Sequence, residues 1–202
     1  MLEGKDLVLQ YTEGGETVNA VDGVSIAVEP GQFIGILGTS GSGKSSLLYL
    51  LSGLKPPSRG EVRYGDERLD RLGPAALARL RRRSFGFVFQ RHFLIGYLTG
   101  RENVLTGGEG DADALLERLD IAHCADKRPH QMSGGERQRM AVARAVIHRP
   151  KVVFADEPTA SLDPQNGERV MACLRDVTRD GTLVVVTHDP AIVEGADQTL
   201  HM

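Results

Sequence analysis

Residues 38–45 read GTSGSGKS, and they follow directly on Phe33–Leu37, FIGIL. That run is almost continuously apolar, as a buried central strand would be. Behind the glycines comes KSSLLYLLS, Lys44–Ser52, which reads as a helix. The pattern G-x-x-x-x-G-K-[ST] between a strand and a helix has a mechanical reason at each position. Gly38, Gly41 and Gly43 let the chain curl so that successive N–H groups, those of Thr39, Ser40 and Ser42 among them, point at one bound anion. The helix beginning at Lys44 adds its positive end. Lys44 suits the β and γ phosphates of a nucleotide, the Ser45 hydroxyl suits Mg²⁺, and Ser46 extends the nucleotide-binding set. A flexible Gly/Ser turn would explain the composition but not the strand–loop–helix context. The stretch predicts an α/β nucleoside-triphosphatase of the P-loop class without saying which kind.

The next informative stretch is VVFADEP, residues 152–158. It places Asp156 and Glu157 at the end of a second buried strand, on the carboxyl edge of the sheet where ligands of α/β proteins sit. Neighbouring residues on an extended chain point in different directions, so the two acids need not share a task. Asp156 suits the shell of a metal ion. Glu157 suits a water in line with the γ-phosphate, as general base or water positioner. An acidic helix cap beside Pro158 would account for one carboxylate, but not for the apolar strand before it.

A third stretch, HQMSGGERQRMAVARAV (130–146), reads as a helix from Gly135 onward. Ser133 and Glu136 have the spacing of a capping box. Gly134 and Gly135 are then unexplained, since each costs roughly 1 kcal/mol of helix propensity relative to alanine. A backbone that must approach a bound anion closely would require them.

The rest of the chain alternates strand and helix. Leu7–Tyr11, Val18–Val28 broken at Asp22-Gly23, and Glu61–Tyr64 read as strands of an antiparallel N-terminal subdomain. Pro74–Arg83 and Asp111–Leu119 read as helices, 84–90 (SFGFVFQ) and 182–187 (TLVVVT) as strands. Another helix opens at Asp163-Pro164, with Val170, Cys173, Leu174 and Val177 on its apolar face. The alternation predicts a largely parallel sheet flanked by helices. Its 202 residues fit one domain, with a helical subdomain over about 91–148 inserted in the core. The net charge of −3 gives no bulk attraction to nucleic acid or acidic lipid. The two cysteines, Cys124 and Cys173, form no recognisable metal or disulfide spacing. With no signal-peptide pattern and no run of roughly 18 apolar residues, a cytoplasmic protein is expected, held at a membrane only through something else.

Taken together, GTSGSGKS, MSGGERQR, VVFADEPTASLD and the VVVTHD that ends at Asp189 resemble, in order and approximate spacing, the ATP-binding cassette (ABC) ATPases over essentially the whole chain. The resemblance implies ATP and Mg²⁺ as ligands and a second copy of the chain as partner. In that family the Ser-Gly-Gly turn meets the γ-phosphate held on the phosphate loop of the other subunit. That would give Ser133, Gly134, Gly135 and Glu136 a role in nucleotide binding. The resemblance also implies that Gln90 reaches Mg²⁺ and the attacking water, that His188 contacts the γ-phosphate and holds the water of Glu157, and that Asp163 belongs to the loop that signals across the dimer. Tyr11 falls where an aromatic stacks on adenine. RENV (101–104), ADEPTASLD and the short length are most similar to the ATPase subunits of macrolide-export and lipoprotein-release systems, which drive a separate transmembrane permease from the inner face of the membrane. Against that group, the segment between Val104 and Met132 is shortened, and no appended regulatory domain is expected. RHFLIGYLTG (91–100) would help form the permease-docking surface through Phe93, Leu94, Ile95 and Tyr97.

The competing function is a non-transport ABC ATPase: a cell-division scaffold, or an enzyme of cofactor assembly or nucleic-acid processing. The only local support for nucleic acid is RLRRR (79–83), which a solvated helix face also explains. With 5% aromatic residues and no tryptophan there is little to stack bases on, so no nucleic-acid partner is expected.

Overall fold

The computed structural model describes residues 1–14 and 16–202. Two sheets organise the chain. The first is antiparallel, with strands β1 (Leu2–Glu13), β2 (Glu16–Val28), β4 (Arg59–Tyr64) and the short β5 (Glu67–Arg68) in the order β2-β1-β4-β5. The second is parallel, with β3 (Phe33–Leu37), β6 (Phe85–Val88), β7 (Val152–Asp156), β8 (Thr182–Thr187) and β9 (Gln198–His201) in the order β6-β7-β8-β3-β9.

The continuous apolar runs of the central strands follow from burial on both faces. Along β7 and β8, Val153, Ala155, Leu183 and Val185 enter one core, while Val152, Phe154, Val184 and Val186 enter the other. The second core holds α1 (Lys44–Leu51) and the inner residues of the antiparallel sheet, such as Leu7 and Val62, and α2 (Pro74–Ser84) adds Leu80 to it. The first core is filled by α3 (Gly100–Leu105), α4 (Ala112–Arg118), α5 (Gly134–Val146) and α6 (Pro164–Val177).

The structure departs from the sequence reading most clearly at four strands. β1 begins five residues earlier than Leu7, and β2 runs through Asp22-Gly23 unbroken, because a register irregularity against β1 and the left-handed φ of Gly23 (68°) absorb the glycine. β6 stops at Val88, since only Phe85–Val88 find partners on β7. β9 lies in a polar sequence with no apolar alternation, and only its pairing with β3 reveals it.

Candidate functional site: a phosphate loop and a capped turn

Four parallel strands each deliver one segment to the same edge of the sheet. Leu37 leads into the phosphate loop, Asp156 into Glu157, Thr187 into His188, and Val88 into the loop carrying Gln90. The register puts Leu37 beside Thr187 and Asp156 beside Val186, so these ends lie level. Between them is a cleft of about 890 Å³, lined by Gly38–Gly41, Gly43–Ser46, Gln90, Glu157 and His188.

The start of α1 is open. Gly43 occupies its N-cap at φ 94°, no side chain caps the helix, and its first turn holds no acid. The left-handed φ alone favours glycine. Packing adds a second reason, because a Cβ on Gly43 would lie 1.8 Å from the Ala20 carbonyl oxygen of β2. Lys44 Nζ donates to the Thr39 carbonyl at 2.6 Å, reaching back over the loop. The buried Ser42 hydroxyl has no partner. Exposed helix N–H groups, a lysine and an orphaned hydroxyl are the donors that a polyphosphate would satisfy.

Asp156 is 7% exposed and held from two sides: Ser45 Oγ donates to Oδ1 at 2.7 Å and Tyr49 Oη to Oδ2 at 3.0 Å. Burial, and then the Asp156 carboxylate, push the Tyr49 hydroxyl up to about 12, so it remains a donor. Tyr49 is a positioning residue that the sequence reading missed. Its place four residues after Ser45 on one helix face was legible, but its partner Asp156 lies far along the chain. The Ser45 hydroxyl and the Asp156 carboxylate are hard oxygen donors of the kind that suits Mg²⁺.

Glu157 has φ 47°, a left-handed conformation that costs a non-glycine residue about 1–3 kcal/mol. The Glu157 and Asp156 carboxylates take different partners. Both Glu157 oxygens lie 3.0 Å from His188 Nδ1. Gln90 is exposed and stands two residues past the end of β6, so the expectation that it ends the strand is corrected; it lines the cleft from a loop. Tyr11 lies on β1, 39% exposed, outside the lining of the phosphate cleft. Its hydroxyl accepts from Lys55 Nζ at 2.7 Å, and this bond, with help from Ser46, holds it below the usual tyrosine value.

The turn before α5 is closed. Glu136 N–H donates to Ser133 Oγ at 3.3 Å and Ser133 N–H to Glu136 Oε2 at 2.6 Å, a complete capping box. That N–H bond first, and His123 second, pull the Glu136 carboxyl down to about 2. The two glycines here are not equivalent. Gly135 is buried, and a Cβ on it would come 2.8 Å from Asn166 Oδ1, so packing against α6 favours a glycine there. Gly134 would meet nothing closer than Leu162 at 3.5 Å. The Gly135 contact with Asn166 stands beside the expected role of both glycines at a ligand and does not exclude it. Asp163 caps α6, accepting from Asn166 N–H at 3.1 Å and Asn166 Nδ2 at 2.7 Å, which lowers its carboxyl. Asn166 thus joins Asp163 to the α5 turn, a link the sequence did not disclose. None of residues 133–136 lines the cleft of its own chain.

The segment 91–100 is pinned rather than loose. The fully buried Asn103 side chain bonds the Ile95 N–H and carbonyl and the carbonyls of Leu98 and Thr99. Arg144, from α5, grips the Phe93 and His92 carbonyls at 2.6 and 2.7 Å. Phe93 and Tyr97 stand 59% and 76% exposed, whereas Leu94 packs on the core and does not share that surface.

Comparison with known proteins agrees with this geometry. The family described as ABC transporter matches residues 21–160. The lipoprotein-releasing system ATP-binding protein LolD of Acinetobacter baylyi is 38% identical, covering all of this chain and 94% of its own. The macrolide export ATP-binding/permease protein MacB of Chlorobaculum tepidum is 41% identical over all of this chain, which spans 33% of that longer protein. Among solved structures, the dimeric ATP-binding cassette MJ0796, in a post-hydrolysis state bound to ADP and Pi, superposes with a TM-score of 0.91. It is 33% identical and covers all of this chain and 94% of its own. Among the described residues no helix is long and apolar enough to cross a membrane. The chain belongs to the ABC transporter family and is one of its ATP-hydrolysing cassettes.

Proposed function

We propose that this cassette binds ATP in the cleft at the carboxyl edge of the parallel sheet and, through hydrolysis, drives a separate transmembrane permease. One observation carries this reading: an uncapped helix start, a lysine, two differently aimed carboxylates and a histidine converge there from separate strands. In this reading the N–H groups of 38–46 and Lys44 hold the phosphates. Ser45, Asp156 and Gln90 would hold Mg²⁺, which when bound supplies charge neutralisation on the phosphate oxygens. Glu157 orients and deprotonates the attacking water. His188, within hydrogen-bond distance of Glu157, keeps that carboxylate aimed and touches the γ-phosphate. Tyr11 stacks on the adenine.

The Ser133–Gly134 turn does not line its own cleft, which supports a head-to-tail pair in which each chain completes the other's site. Glu136 shapes that turn, and Asp163 reaches it through Asn166. The inserted helices within 91–148, with Phe93 and Tyr97 at their surface, form the face toward the permease. The cassette then sits at the cytoplasmic face of the membrane through that partner. The likeness to LolD and MacB points to lipoprotein release or export as the work performed.

The test is light scattering on a Glu157→Gln variant, with and without ATP and Mg²⁺. The expected outcome is a monomer that becomes a dimer only when both are present. A variant that binds ATP yet stays monomeric with the permease added would overturn the shared site.

A further inference from the structure

Outside the nucleotide cleft, three different metal-binding side chains meet behind the α5 turn. His123 and Cys124 come from the short 3₁₀ turn Ala122–Cys124 that follows α4, and Glu136 from the first turn of α5. Their donor atoms, an imidazole nitrogen, a thiol sulfur and a carboxylate oxygen, all lie within 4.8 Å of one another, with His123 Nε2 and Glu136 Oε1 at 2.6 Å. We propose that His123, Cys124 and Glu136 form a binding site for a borderline divalent cation of the zinc type, distinct from the Mg²⁺ site of the nucleotide.

The chemistry of the set selects that class. A nitrogen, a sulfur and one carboxylate oxygen suit Zn²⁺ and disfavour Mg²⁺, which wants six hard oxygens. Donor atoms around a tetrahedral zinc stand roughly 3–4 Å apart, given bond lengths of about 2.0–2.3 Å. The cluster therefore needs only a small adjustment, in which the His123–Glu136 pair opens and the sulfur closes in. His123 is half exposed and provides the way in, while Cys124 forms the buried floor. In the cation-free protein the thiol is protonated, because burial and then the Glu136 carboxylate push it up to about 11. Coordination reverses this: as the sulfur–metal bond forms, the thiol proton leaves to solvent. The thiolate and carboxylate then balance the dication, and Lys127 and Arg139 are near enough to favour the thiolate. Three protein ligands leave a fourth position for water.

The site touches the turn that the proposed function uses. Glu136 would bind the cation through Oε1 while Oε2 keeps its bond to the Ser133 N–H. An occupied site would tie the capping box to the 122–124 turn and stiffen the Ser133–Gly134 backbone. The binding claim itself does not rest on ATP or on a dimer.

The probe is Zn²⁺ titrated calorimetrically into chelator-treated, nucleotide-free protein, with Co²⁺ as the spectroscopic reporter and Mg²⁺ in excess. The expected result is one Zn²⁺ per chain and a thiolate-to-cobalt charge-transfer band. His123→Ala, at an exposed position that does not endanger folding, should weaken binding at least tenfold; Cys124→Ala should abolish the band, and Cys173→Ala should change neither. No stoichiometric binding would overturn the proposal, as would binding that both His123→Ala and Cys124→Ala leave intact.

Discussion

Two helix starts in this molecule share a glycine-rich turn and solve opposite problems. The N-terminus of α1 has no cap, a left-handed glycine and no acid in its first turn, so its N–H groups remain free for an anion. The N-terminus of α5 has a complete capping box and a glutamate three residues in, so the N–H groups of Ser133 and Glu136 are already satisfied and an acid sits over the positive end. Glycine means close approach in both places, yet the approaching group differs. At Gly43 it is the Ala20 carbonyl of the bracing sheet, and at Gly135 the Asn166 side chain of α6. Glycine content alone does not distinguish the two starts; the side-chain cap does.

The contrast breaks most visibly at Gly43. Gly43→Ala imposes a left-handed alanine and a contact at 1.8 Å with backbone, together worth about 2–5 kcal/mol. Denaturant unfolding should register that loss, and titration with a fluorescent ATP analogue should find binding abolished. Normal affinity in a folded Gly43→Ala protein would mean that the loop geometry is not what holds the phosphates. At α5 a pair of variants separates the glycines. Gly135→Ala forces Asn166 aside, costing about 1–3 kcal/mol against roughly 1 kcal/mol of regained helix propensity. Its net loss is small, and its monomer affinity for ATP is unchanged. Gly134→Ala should leave stability equal or raised by up to about 1 kcal/mol while impairing ATP-driven dimerisation in scattering. Equal behaviour of the two would erase the distinction drawn between them.

A further effect concerns the cap's charge. Glu136 is held at about 2 in the folded protein against 4.5 when free. Because folding lowers this value, its stabilisation is present above about pH 4.5 and fades as the pH falls toward 2. Glu136→Gln keeps the capping geometry and removes the charge. It should be about 1–2 kcal/mol less stable than the parent above that range, with the gap closing on acidification. A gap independent of pH would assign the loss to packing instead.

What could be read in advance depended on locality. GTSGSGKS, Asp156-Glu157 and the Ser133–Glu136 box are runs of adjacent residues whose spacing carries their geometry, and each occupies the kind of element the reading gave it. Tyr49 against Asp156, and Asn166 between Asp163 and Gly135, join positions distant along the chain, so only the fold brings them together. The edge strand β9 is polar and short, and its strand conformation comes from pairing with β3 rather than from its own residues. Gly135 shows the limit from the other side, since its contact with Asn166 on α6 is not visible in the glycine's own sequence context.

Arg144 gives α5 a use beyond its first turn. Its guanidinium holds two successive carbonyls of the segment that carries Phe93 and Tyr97, while the opposite end of the same helix carries Ser133. At 1.5 Å per residue the two ends stand about 16 Å apart, so a tilt of about 10° displaces one relative to the other by roughly 3 Å. The helix is in effect a crank with a grip at each end. The Ser133 turn and the segment bearing the two exposed aromatics are thus joined by a single helix.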